Sequence, residues 1–110
     1  MSKPSTIVLI TGANSGVGLA ASGVIASAFE DYHVIMASRN TENGEKALAE
    51  VRAMKGIKGT LSTIQLDQDD PESIQRAAQE VESQFGRLDV LVNNAGIGKY
   101  PTRAFRAVLC

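Results

Sequence analysis

Short apolar runs alternate with longer amphipathic stretches along this chain. The runs TIVLI, HVIMAS, LSTIQL and LDVLVNN are rich in β-branched and aliphatic residues, and turn-forming residues bound most of them. This pattern predicts β-strands at residues 6–10, 33–38, 61–66 and 88–94. The first run is apolar without interruption, which is typical of a strand that is buried on both faces of a parallel sheet.

Apolar residues at helical spacing predict three helices between these strands. The first is GVGLAASGVIASAF, and its expected buried face consists of Leu19, Val24, Ile25 and Phe29. The second is ENGEKALAEVRAM, for which Thr41 is the expected N-cap. The third is PESIQRAAQEVESQF, which we expect Asp69 or Asp70 to cap and Gly86 to end.

The alternation of strands and helices predicts an α/β fold built from right-handed βαβ units. The expected architecture is a Rossmann-type doubly wound parallel sheet, truncated to about four strands in the order 3-2-1-4 with three helices. The first two helices then share one face of the sheet. The fourth strand forms an apolar edge, through which the chain is expected to associate with a partner.

Composition narrows the range of functions. The chain has 110 residues, 44% of them hydrophobic and 21% charged, which suits one ordinary globular domain. A formal net charge of -1 offers no basic field for nucleic acid, and no apolar run is long enough to span a membrane. With Cys110 as its one cysteine and no leader-like segment, the protein is expected to be cytoplasmic. No cluster of metal-ligating residues is evident around His33.

A glycine-rich turn separates the first strand from the first helix in IVLITGANSGVGLA. Small residues at a helix N-terminus let a phosphate approach the unpaired amides and the positive end of the helix dipole. The turn is not a nucleoside-triphosphatase P-loop, because Leu19 and Ala20 follow its last glycine where lysine and Ser or Thr are required. A purely structural turn is the alternative.

Three motifs at strand ends resemble the short-chain dehydrogenase/reductase family. They are TGANSGVG at residues 11–18, Asp67 at the end of the third strand, and NNAG at residues 93–96. The resemblance covers about residues 5–97. It divides the chain into the N-terminal half of an NADP-binding Rossmann domain at 1–97 and a divergent tail at 98–110.

The resemblance implies a role for each residue of these motifs. Asp67 is implied to contact the adenine, with a helix-capping or loop carboxylate as the alternative, and Asn93 to brace the sheet. The residues implied to surround the cofactor phosphates are Gly12, Asn14, Ser15, Gly16, Val17 and Gly18. Those implied to lie along the adenosine ribose are Asn94, Ala95 and Gly96.

The residues after the second strand favour NADP(H) over NAD. An NAD site usually has an acidic residue here to bind the ribose 2′-hydroxyl, but the chain has Ser38 and Arg39, with no carboxylate before Glu42. A guanidinium pairs with a 2′-phosphate, which a carboxylate repels. The alternative is that Arg39 is a solvated loop residue.

The resemblance also implies catalytic residues, and the sequence lacks them. The family uses a tyrosine with a lysine four residues later, but Met36 follows Tyr32 and Ala104 follows Tyr100 at that spacing. We therefore expect an NADP(H)-dependent carbonyl/alcohol oxidoreductase by family, in a truncated form that does not turn over unaided. A non-catalytic nucleotide- or partner-binding module and a non-functional remnant are the alternatives.

Overall fold

The computed structural model describes residues 4–94. Within these residues the elements are β1 (Thr6–Ile10), α1 (Gly16–Ala28), β2 (Tyr32–Ser38), α2 (Thr41–Arg52), β3 (Thr60–Gln65), α3 (Pro71–Phe85) and β4 (Val90–Val92). The strands form one sheet in the order β3-β2-β1-β4, and every neighbouring pair is parallel. The predicted α/β fold and strand order are confirmed.

Strand β1 lies at the centre of the molecule, paired with β2 on one side and β4 on the other. Its residues Ile7, Val8, Leu9 and Ile10 are each at most 1% exposed. Ile7 and Leu9 pack on the side of α3, whereas Val8 and Ile10 pack on the side of α1 and α2. The uninterrupted apolar run follows from this burial on both faces.

Helix α1 packs mainly through small residues, together with two of the four large residues predicted. Its buried residues are Gly18, Ser22, Gly23 and Ala26. Leu19 and Ile25 are partly buried and pack against the core as predicted. Val24 is 67% exposed, and Phe29 lies beyond the helix end and is 47% exposed, so the prediction is wrong for these two residues.

Small residues are needed because the helix approaches the glycine-rich loop closely. A Cβ at Gly18 would collide with the carbonyl oxygen of Gly12. The buried Ser22 hydroxyl has its hydrogen-bond partner within the helix, because it donates to the Gly18 carbonyl at 2.8 Å.

The other two helices begin with side-chain caps. In α2 the cap is Asn40 rather than the predicted Thr41, and its Oδ1 accepts a hydrogen bond from the Asn43 amide at 2.9 Å. In α3 the Asp70 carboxylate accepts from the Glu72 amide at 3.0 Å, as predicted. The same helix ends at Gly86, which has the left-handed φ of 76°. These caps fix where each helix starts beside the carboxyl edge of the sheet.

A polar clamp aligns β4 with β1 at the opposite edge. The Asp89 carboxylate accepts from the Ile7 amide at 2.7 Å, and Arg87 Nε donates to the same carboxylate at 3.0 Å. Arg87 Nη2 also donates to the carbonyl oxygens of Pro4 and Ser5.

No helix in the described part of the chain combines the length and apolar character needed to cross a membrane.

Candidate functional site

A cleft of about 610 Å³ opens at the carboxyl ends of β1, β2 and β3. Its walls come from three loops and from the end of β4. The lining residues are Thr11, Gly12, Asn14, Ser15, Arg39, Asn40, Asn43, Leu66, Gln68, Asp69 and Asn94. Ligands of doubly wound sheets bind outside the carboxyl ends of the strands, where the strand order reverses. Here that point lies between β1 and β4.

The glycine-rich loop at the end of β1 needs its glycines for two different reasons. Gly12 and Gly16 have φ values of 60° and 57°, in the left-handed region that favours glycine. Gly18 is required by packing, since a Cβ there would also lie 2.7 Å from Asn94 Nδ2. A Cβ at Gly16 would meet nothing within 4 Å, so the space beside the helix N-terminus is open.

The N-terminus of α1 differs from those of α2 and α3. Its N-cap is Ser15, whose side chain makes no capping hydrogen bond, and its first turn contains no acidic residue. By contrast, α2 and α3 each have a capping side chain and a glutamate in the first turn. The α1 terminus therefore keeps its partial positive charge and its amides for an anion. Asn14 and Ser15 line the cleft here, while Val17 is 75% exposed and is not part of its lining.

The end of β4 holds the glycine loop in place. The Asn94 amide donates to Thr11 Oγ1 at 2.9 Å, and Asn94 Nδ2 donates to the Gly12 carbonyl at 3.3 Å. Thr11 Oγ1 also lies 3.5 Å from Asn93 Oδ1. Asn94 thus both lines the cleft and braces the loop. Ala95 and Gly96 lie outside the described residues.

Polar side chains follow β2 along the next wall of the cleft. Arg39 is exposed, and its guanidinium forms no hydrogen bond or ion pair with the residues described here. Asn40 and Asn43 line the cleft beside it. Ser38 does not line the cleft, because its side chain packs under α2, where a Cβ at Gly44 would lie 2.5 Å from the hydroxyl oxygen.

The loop after β3 forms the remaining wall through Leu66, Gln68 and Asp69. Asp67, which the family resemblance implied to contact the adenine, is not among the lining residues. Its Oδ1 instead accepts a hydrogen bond from the Asp69 amide at 3.0 Å. Its own amide donates to the Ser73 hydroxyl at 2.9 Å.

Sequence reasoning missed five lining residues that carry polar side chains: Thr11, Asn40, Asn43, Gln68 and Asp69. Thr11 belonged to the glycine motif, and its position at the end of a buried strand was the available signal. Asn40 and Asn43 lie within about one helical turn of Arg39 in the sequence, and that proximity was the available signal. Asp69 had been interpreted as a possible helix cap. Among residues 4–94, no three His, Cys, Asp or Glu side chains converge as a metal site would require.

The parallel sheet, its strand order and the glycine loop at the start of α1 together define a Rossmann-type α/β fold. The sequence model of the short chain dehydrogenase family matches residues 6–108. The chain therefore belongs to the short-chain dehydrogenase family, as its three motifs predicted.

Individual relatives agree with this assignment. The chain is 43% identical to the short-chain dehydrogenase anuI of Penicillium roqueforti over 99 residues, which covers 90% of this chain and 37% of the relative. Menthone neomenthol reductase from Mentha piperita superposes with a TM-score of 0.74 at 32% identity, over 88% of this chain and 33% of the other. L-sorbose reductase from Gluconobacter frateurii, solved with NADPH and L-sorbose, has a TM-score of 0.69 at 30% identity, over 88% and 36%.

The matched region is a limited part of each relative. The chain spans about a third of the length of the curated relatives it matches. The cleft described above lies within that shared part.

Proposed function

We propose that this chain binds NADP(H) in the cleft at the carboxyl edge of its sheet, as the cofactor-binding part of a short-chain dehydrogenase/reductase. The observation that carries the proposal is the pairing of an open, uncapped α1 N-terminus with a glycine loop that lies beside it. The pyrophosphate binds at this terminus, against Gly12, Asn14, Ser15 and Gly16.

Arg39 supports the phosphorylated form of the cofactor. Arg39 lines the cleft, and positions 38–41 contain no carboxylate. Its guanidinium has no partner among the described residues. A free guanidinium forms strong, charge-assisted hydrogen bonds with a phosphate. The related L-sorbose reductase, solved in complex with NADPH, agrees with this choice.

The chemistry that NADP(H) supplies when bound is hydride transfer to or from a substrate carbon. The residues of this chain bind and orient the dinucleotide: α1 and the glycine loop hold the phosphates, and Asn94 fixes the loop. The sequence contains no tyrosine followed by lysine at the fourth position, so no group on this chain is assigned to the proton. We expect the 110-residue chain to bind cofactor without turning over carbonyl substrates.

Calorimetric titration of the chain with NADPH and NADH tests the proposal. We expect saturable binding with a lower Kd for NADPH. Arg39→Gln should weaken NADPH binding by about tenfold or more and leave NADH binding unchanged, since a charge-assisted hydrogen bond contributes about 1.5–3 kcal/mol. Arg76→Gln, on the exposed face of α3, is the matched control. Absence of saturable binding of either cofactor would contradict the proposal and favour a non-functional remnant.

We also propose that the chain associates through the edge of β4. In the part of the chain that the structure describes, β4 pairs only with β1, and Val90 is 41% exposed. An apolar strand edge with unpaired backbone groups is a template for pairing with another chain.

A further inference from the structure

The outer edge of β3 is open in the described part of the chain, where this strand pairs only with β2. The Leu66 amide donates to the Ser38 carbonyl of β2 at 2.8 Å. Because backbone groups alternate in direction along a strand, the amides and carbonyls of residues 61, 63 and 65 point away from β2. The hydrogen bond from Arg52 Nη2 to the Leu61 carbonyl, at 3.4 Å, agrees with this direction. These residues therefore present backbone groups to a further strand.

Strand β3 lacks the side chains that usually protect an open edge. Natural edge strands are blocked by charged residues, by proline or by being very short. The sequence of β3 is TLSTIQ, six residues with no charge and no proline, whereas β4 has three residues. Of the two outer strands, β3 is thus the longer template for strand pairing.

Two hollows border β3, one at each end of the strand, and α2 contributes to the lining of both. The hollow at the amino end has a volume of about 450 Å³, and its lining includes Arg52, Met54, Ile57, Thr60 and Leu61. The hollow at the carboxyl end has a volume of about 260 Å³, and its lining includes Thr41, Gly44, Thr63, Gln65 and Glu80. We call the outer edge of β3 and these two hollows the β3 groove. In strand addition, backbone pairing supplies the affinity and hollows of this kind accept alternate side chains.

The two ends of the β3 groove differ in charge. Arg52, Lys55 and Lys58 are exposed at the amino end, and neither β3 nor the segment between α2 and β3 contains an acidic residue. None of the three cations forms an ion pair with the residues that the structure describes. The other end has Glu80 in its lining, and the Glu45 carboxylate accepts a hydrogen bond from a threonine of β3 at 2.7 Å. A peptide that follows this edge is therefore complementary in charge if its acidic residue lies at the amino end of β3.

We propose that the β3 groove binds an extended peptide segment of a partner protein, with an acidic side chain of that segment against Arg52, Lys55 and Lys58. The guanidinium and ammonium groups form charge-assisted hydrogen bonds with the carboxylate. An apolar side chain beside it packs on Ile57 and on Met54, which is 38% exposed. The concave shape favours a peptide over a lipid surface, because the apolar atoms line a hollow rather than project from it. The proposal goes beyond the NADP(H) function, since the two hollows share no lining residue with the cofactor cleft.

Synthetic octapeptides test the strand addition. The probe alternates valine and threonine and carries a pair of aspartates at its amino end or, in a second version, at its carboxyl end, so that both strand directions are covered. We expect one version to bind saturably in a calorimetric titration, and its counterpart with lysines in place of the aspartates to bind about tenfold more weakly or less. N-methylation of all peptide amides should abolish binding, because it removes the donors that pair with a strand edge. Failure of both aspartate peptides to bind, or equal binding of the lysine peptide, would overturn the proposal.

Thr63→Pro tests the role of the β3 backbone. The substitution removes an outward amide and should weaken peptide binding by about tenfold or more, while the fold tolerates proline on an edge strand where the N–H faces solvent. Thr63→Val is the matched control, since it keeps the amide and loses only the hydroxyl, and it should bind like the original chain. Equal affinities of the two variants would overturn backbone pairing with β3.

A charge reversal tests the same groove without altering its backbone. Lys55→Glu combined with Lys58→Glu should weaken binding of the aspartate peptide by about tenfold and strengthen binding of the lysine peptide. Lys46→Glu, an exposed change on α2 outside the lining of the groove, should alter neither affinity. An unchanged peptide preference in the double variant would overturn the assignment of the cations.

Two other occupants of the groove give different results. Binding to phosphatidylserine vesicles that the double lysine variant loses, without binding of either aspartate peptide, would assign the cations to a lipid surface and overturn the proposal. Self-association that Thr63→Pro abolishes and Thr63→Val retains, again without peptide binding, would assign the edge to a second copy of this chain instead.

Discussion

His33 is a buried titratable residue that lies far from the cleft, near the start of β2. It is 8% exposed, with Nδ1 2.6 Å from Thr60 Oγ1 and Nε2 2.8 Å from Ser62 Oγ. The Phe85 ring of α3 covers it, with the ring centroids 4.7 Å apart. The two hydroxyls satisfy the neutral ring, so no polar atom of the imidazole depends on water.

This environment predicts a loss of stability in mild acid. Burial lowers the pKa of His33 from its ordinary value of 6.5, so the folded chain binds this proton less readily than the unfolded chain does. The free energy of unfolding should therefore be highest above pH 6.5 and decrease as the pH falls through 6.5 towards the lowered pKa. Urea unfolding at pH 7.5, 6.5 and 5.5 measures this dependence.

The control for this pH dependence is His33→Gln. This variant retains a polar side chain between Thr60 and Ser62 but does not titrate, so its stability should change much less between pH 7.5 and 5.5. An equal decrease in both chains would assign the dependence to other groups and contradict the prediction.

In helix α1, the neighbours that each buried position contacts determine whether a larger side chain can be accommodated there. Gly18 and Gly23 both lie on its buried side, but they face different neighbours. A Cβ at Gly18 would meet the backbone of Gly12 and the amide of Asn94, which cannot move without disturbing the loop. A Cβ at Gly23 would meet only the side chain of Met54, with the sulfur at 2.8 Å and the terminal methyl at 3.6 Å. Met54 is 38% exposed, so this flexible side chain can shift.

We therefore expect opposite results from two identical substitutions. Gly18→Ala should destabilise the fold by about 1–3 kcal/mol through overpacking and should weaken cofactor binding. Gly23→Ala should be neutral or stabilising by up to about 1 kcal/mol, since alanine favours a helix interior. Thermal unfolding measures the stability of both variants, and titration with NADPH measures their cofactor binding. Equal effects on stability would show that helix propensity, and not the approach to Gly12, controls this face.

The same helix shows which features of the fold could not be predicted from the sequence. The strands were predictable because continuous apolar runs such as 6–10 have one explanation, burial on both faces. The buried face of α1 was predictable only at Leu19 and Ile25, because hydrophobic periodicity identifies large side chains. Its fully buried residues, such as Gly18, Ser22 and Ala26, are small. The predicted N-cap of α2, Thr41, lies one residue after the observed N-cap, Asn40. Both residue types are suitable caps, and only the backbone conformation distinguishes them.

At the scale of the whole molecule, the location of the cleft followed from topology. Parallel strands in the predicted order bring the loops after β1, β2 and β3 to one edge, so Gly12 and Arg39 could be placed in one site. Which side chain of each loop faces inward could not be predicted. Ser38 and Asn40 are two residues apart, yet only Asn40 lines the cleft, because the start of α2 covers Ser38.

The edge of the sheet at β4 is the surface through which we expect the chain to associate. If the chain associates through this edge, its average mass in sedimentation experiments should rise with concentration. Val90→Lys should keep the chain monomeric, because a lysine on an edge strand opposes pairing with another strand. Val24→Lys is the matched control: it makes the same change at a valine that is 67% exposed on α1, away from the edge. Association that survives Val90→Lys but is lost in Val24→Lys would place the contact on α1 instead. Because β4 is only three residues long, the pairing it offers is short, and we expect weak association that is reversed by dilution.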